Sequence, residues 1–130
     1  MDKYDPLQPP DAEVWLATNE EERHAAIAAF HRSHQPELGP GAGLHMALHM
    51  IVENQIALGD ETPVQLKIRH LMAQGLDRHE AIHCVASVLI VHIHALAKSP
   101  DQLKPSDFNA RYYAELKRMT ARKWLRSGSR

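Results

Sequence analysis

The sequence predicts an all-α protein, a compact bundle of about five helices joined by short loops. Three observations carry that expectation. Apolar residues recur at helical spacing in five separate stretches. Cap-like residues and Gly or Pro breakers punctuate those stretches, and no segment alternates apolar and polar residues between turn signals as a strand would.

The opening MDKYDPLQPPDAEVW combines prolines and acids, so residues 1–17 read as an extended or partly ordered arm. The first long helix begins after Thr18 or Asn19, with Glu20 to Glu22 in its first turn and Ile27 and Phe30 on its apolar side. QPELGPGAG ends it as a loop. A second helix spans roughly Gly43 to Leu58 and stops at Gly59-Asp60. In TPVQ, Thr62 and Gln65 have the spacing of a capping box, with Pro63 at the first helical position; this opens a third helix that runs to Gln74 and closes at Gly75. Asp77 and Glu80 repeat the cap-to-third-residue spacing and open a fourth helix, which continues to about Lys98 before Ser99-Pro100. A last helix, capped by Ser106 or Asp107, turns Phe108, Tyr112, Leu116 and Met119 inward and frays past Trp124, leaving 125–130 as a tail. At 130 residues these helices are expected to form one domain, 1–130.

Composition narrows the function classes. The net charge of −1 sets up no global field for nucleic acid or anionic lipid. Acids crowd residues 1–23 and bases crowd 106–130, a pattern that solvated termini explain. The last helix is basic and amphipathic, but the chain as a whole is not, so neither nucleic acid nor membrane is expected as a partner. The longest apolar stretch, Val85 to Ala97, is interrupted by His92 and His94, and no basic segment followed by an apolar core opens the chain. With Cys84 as the single cysteine, no internal disulfide can form. A cytoplasmic location is the expectation. A small-molecule substrate and a homo-oligomer are both compatible with the sequence.

Ten histidines in 130 residues set this chain apart, and their register matters more than their number. His45, His49 and Glu53 follow one another at four-residue steps, within an arc of about 80° on the second helix. Most other residues of that helix are apolar, so the stripe is expected to be buried and to require hydrogen bonds or a cation. His79 and His83 repeat the four-residue step on the fourth helix, about 40° apart. If the two helices pack side by side, His49, Glu53, His79 and His83 offer a nitrogen and oxygen set suited to zinc or non-haem iron, with His45 close by. The alternative is a set of hydrogen-bonded core histidines in a non-catalytic interaction or regulatory module, a response to pH being one such role.

His79-Glu80-Ala81-Ile82-His83 also matches HExxH, in which two histidines bind zinc and the glutamate is the general base. Glu80 is therefore a candidate catalytic residue, although its capping position gives it a competing structural task. His24, His31, His34 and His70 are expected at the surface, as are Arg69 and Arg78. Met46, Met50 and Met72 read as core filler, and Cys84 as an inert buried thiol.

LHMALHMIVENQIALGDETPV and GLDRHEAIHCVASVLIVHI together resemble a bacterial family of small proteins catalogued as a domain of unknown function, over about residues 44 to 95. The matching positions are His45, His49, Glu53, Asn54, Gln55, Arg78, His79, Glu80 and His83. The resemblance implies a shared polar site and leaves its chemistry open. Relatives with Asp at the position of Glu80 weaken a strict peptidase reading. The sequence thus points to a metal-binding helical protein, leaning toward an enzyme with iron oxygen chemistry or zinc-dependent hydrolysis.

Overall fold

The computed structural model describes residues 3–34, 42–98 and 104–127. Among these residues the structure is all-α, with seven helices and no strand: α1 (Ala12–Ala17), α2 (Glu20–His34), α3 (Ala42–Ala57), α4 (Val64–Ala73), α5 (Arg78–Lys98), α6 (Pro105–Arg118) and α7 (Ala121–Arg126). A 3-10 turn, Gly59–Glu61, follows α3. The loop read at 35–43 lies outside the described residues through Gly41, as do Ser99-Pro100 and the tail beyond Ser127.

The five longest helices are those the sequence marks, and the expected caps start three of them. Asn19 Oδ1 accepts from the Glu22 amide at 2.8 Å, Thr62 Oγ1 from Val64 at 3.2 Å and Asp77 Oδ1 from Glu80 at 2.7 Å. Each satisfies an amide that the first turn leaves without a helical carbonyl. At the end of α4, Gly75 takes φ +110°, which lets its amide reach the Met72 carbonyl at 3.0 Å and the Leu76 amide reach Leu71 at 3.1 Å. Leu71 and Leu76 are both buried beside that reversal.

Two expectations are corrected. The arm expected at 1–17 is ordered from residue 3 onward: Asp11 caps α1 by accepting from Val14 at 3.1 Å, and Tyr4 and Trp15 are buried. Pro9 and Pro10 break no helix there; they lead an extended chain into the cap, and the two aromatic rings provide the apolar area that holds the segment down. The last helix is also two helices. Met119 and Thr120 are extended, and Thr120 Oγ1 accepts from Lys123 at 3.2 Å to start α7. Lysines satisfy carbonyls at the break: Lys67 Nζ donates to Lys117 O at 3.2 Å and Met119 O at 2.9 Å, and Lys123 Nζ to Arg118 O at 2.8 Å. Trp124 of α7, the last residue before the expected fraying, is buried.

The chain gathers into two compact units, residues 1–65 and 66–130. In the first, α1 and α2 both pack on α3, around Tyr4, Trp15, Ile27 and Met50. In the second, α6 and α7 both pack on α5, whose buried residues include Ala81, Ile82, Val85, Val88 and Leu89. By length and composition alone α5 could cross a membrane, a property that core helices of its size share. The boundary falls within the first turn of α4, where the sequence carries no linker signal.

Candidate metal centre

In the first unit α3 presents the expected stripe. His49 and Glu53 are each only 1% exposed and His45 is half-buried. The neighbour that completes this cluster is His31 of α2, which the sequence reading assigned to the surface and which is 2% exposed. A helical register explains the correction: His31 is one turn beyond Ile27, itself fully buried, so the same face carries both inward.

The hydrogen bonds fix how these rings present their nitrogens. His31 Nδ1 lies 2.8 Å from the Ile27 carbonyl, which can only accept. Nδ1 therefore carries the proton, and the neutral ring holds its lone pair on Nε2. That nitrogen lies 3.1 Å from His45 Nε2. The His31 ring stands 4.8 Å from the His45 ring and 5.1 Å from the His49 ring, centroid to centroid, and close to perpendicular to both. One nitrogen from each of the three lies within 4.8 Å of the others, a group of histidines that could hold a metal ion. Nitrogens bound to one tetrahedral zinc stand about 3.4 Å apart, and the 3.1 Å approach of His31 to His45 is of that order.

Tyr4 reaches the same place from the N-terminal segment. Its hydroxyl donates to Glu53 Oε2, and its oxygen lies 2.5 Å from His49 Nε2. With the phenolic proton directed to the carboxylate, His49 Nε2 is the donor to the phenolic oxygen. Asn54 secures the scaffold beneath: its Oδ1 accepts from Trp15 Nε1 at 2.9 Å and Arg23 Nη1 at 2.8 Å, so one carbonyl ties α1 and α2 to α3. Tyr4 had no usable sequence signal, because it sits in a proline-rich segment 45 residues from His49.

In the second unit the expected pair, His79 and His83, is half-buried on α5 with ring centroids 4.3 Å apart. Glu80, one residue after His79, accepts from Trp124 Nε1 at 2.6 Å while its amide is capped by Asp77. Arg78 is buried, against the surface position expected for it, whereas Arg69 and His70 are exposed as expected. His92 Nε2 meets Glu115 Oε1 at 3.1 Å, linking α5 to α6. Met50 is buried, but Met72 is 42% exposed and is not core filler. Cys84 is fully buried, and burial pushes its thiol up to about 12, so it is protonated at neutral pH.

The fold and site define an all-helical protein with a buried histidine cluster able to hold a metal. No protein-family model, curated protein or solved structure matches the chain, so its chemistry is argued from this geometry alone.

Proposed function

We propose that this protein is a small metal-dependent enzyme whose divalent iron or zinc ion is held by His31, His45 and His49 with Glu53 beside them. The observation that carries this reading is the convergence of three imidazoles within 4.8 Å of one another in a buried setting. Neutral imidazoles with one carboxylate suit iron and zinc better than magnesium or calcium, which favour all-oxygen shells. Zinc would supply an activated water for hydrolysis, and iron would supply oxygen chemistry on a small molecule.

The chain's own residues have separate tasks in this reading. The Ile27 carbonyl holds His31 in the tautomer that presents Nε2. His45 must then move its proton from Nε2 to Nδ1 when it becomes a ligand. Glu53 balances charge. Glu80 is the remaining candidate base, and proton transfer through it requires its bond from Trp124 to loosen.

A second reading is favoured by the same hydrogen bonds: His31 with His45, and Tyr4 with His49 and Glu53, already form a network that a non-catalytic module could use for packing. Metal analysis of untagged protein separates the two. About one iron or zinc per chain, lost in a His31→Ala, His49→Ala double variant, is expected. Sub-stoichiometric metal with no thermal shift on adding zinc, iron or manganese removes the metalloprotein reading.

A further inference from the structure

We propose that Tyr4 is itself a ligand of this centre and binds ferric iron as a phenolate. The inference rests on the metal-site reading above and adds to it a residue from outside the histidine motifs.

The argument begins with where the phenol points. Its oxygen lies 2.5 Å from His49 Nε2 and its proton is directed at Glu53 Oε2, so oxygen, nitrogen and carboxylate converge on one small volume. These groups come from sequence positions 45 and 49 residues away from Tyr4, so local chain geometry does not force the meeting. Between the two oxygens the bridging positive charge is a proton. A metal cation can take over that bridging role: the phenolic O–H bond breaks, an Fe–O bond forms, the phenolic proton leaves to water, and His49 shifts its proton from Nε2 to Nδ1 to offer Nε2 to the ion. Two anionic oxygens, phenolate and carboxylate, stabilise the higher charge of ferric over ferrous iron.

Packing makes the phenol a placed group. Tyr4 is 6% exposed, with Trp15 5.8 Å, Phe30 6.2 Å and His49 5.5 Å from its ring. It also lines two surface cavities of about 410 and 390 Å³, the first shared with Asp11 and Trp15 and the second with Ala26 and Phe30.

The test loads the full chain with ferric iron supplied as its citrate complex, removes excess by gel filtration, and reads iron content together with the visible and resonance Raman spectra. Expected is about one iron per chain with a phenolate-to-iron charge-transfer band in the visible and phenolate vibrations enhanced by excitation within it. Tyr4→Phe, which keeps the ring packing, is expected to lose the band and weaken iron retention by roughly tenfold or more. Tyr112→Phe and Tyr113→Phe are expected to keep both. Stoichiometric iron without the band in the wild-type protein, or a band that survives Tyr4→Phe, overturns the Tyr4 assignment while leaving the histidine centre standing. Failure to retain ferric iron at all overturns the Tyr4 proposal, while the centre stands or falls separately by the metal analysis with zinc, iron and manganese. The Raman spectrum of the wild-type protein decides the matter even if the variant folds poorly.

Discussion

The two units use similar parts in opposite chain order. In the first, a six-residue helix and a longer partner precede the central helix α3; in the second, the central helix α5 precedes a longer partner and a six-residue helix. Each short helix buries one tryptophan whose indole nitrogen donates to a side chain on the central helix, Trp15 to Asn54 and Trp124 to Glu80. Each central helix also carries two histidines four residues apart. Within the first unit the pair gains His31 and Tyr4 from elsewhere in the chain; in the second, the two rings of the pair stand 4.3 Å apart on α5. The lesson is that four-residue spacing supplies neighbouring rings, and the packing of other segments decides what those rings become.

The tryptophans test the comparison most severely. Trp15→Ala and Trp124→Ala are each expected to cost about 3–5 kcal/mol in denaturant unfolding, since both rings are buried. Trp15→Ala should also lower metal content, because it releases the segment that carries Tyr4; equal damage to metal content from the two variants would break the distinction drawn between the units. His49→Ala comes next. It should abolish metal binding and cost the metal-free protein about 1–3 kcal/mol by removing the buried ring that donates to the Tyr4 oxygen, while the Tyr4 bond to Glu53 stays. His83→Ala sharpens the contrast: loss of metal together with stability supports its place among the ligands, and a mild packing defect with metal retained removes it.

Smaller effects separate the two indole acceptors. Asn54→Ala strands two donors and should cost roughly 2 kcal/mol, whereas Glu80→Gln keeps an oxygen for Trp124 and should cost less than about 1 kcal/mol. Both are measurable as shifts in the denaturant midpoint. Asp77→Ala, which removes only the α5 cap, should cost about 1 kcal/mol by the same measurement. The smallest expected signal is at Cys84, whose buried, protonated thiol should resist iodoacetamide at pH 8 until the chain is unfolded; rapid alkylation of the native protein would contradict its burial.

Local signals were the legible ones. Caps at Asn19, Thr62 and Asp77 and the reversal at Gly75 are written in short-range chemistry, and the α3 stripe follows from a four-residue step, so both could be read from the sequence. Tyr4, Trp15 and the break at Thr120 depend on distant partners. Proline-rich acidic sequence pointed to an extended or partly ordered arm because nothing local reveals that two aromatic rings will find Ile27, Phe30 and Met50. His31 is the intermediate case: its register beside Ile27 was visible, but an isolated histidine on a polar helix gives no cue that two more await it on α3.

The placement of the two tryptophans also equips the molecule with optical reporters. These are its only two indoles, one in each unit, and each is buried with its N–H engaged. Trp15 stands 5.8 Å from the Tyr4 ring, so under the proposed iron site its fluorescence is expected to dim as iron is added to fill it. A variant with Trp124 replaced by Phe would report that filling alone, turning occupancy of the histidine cluster into a titration followed by light.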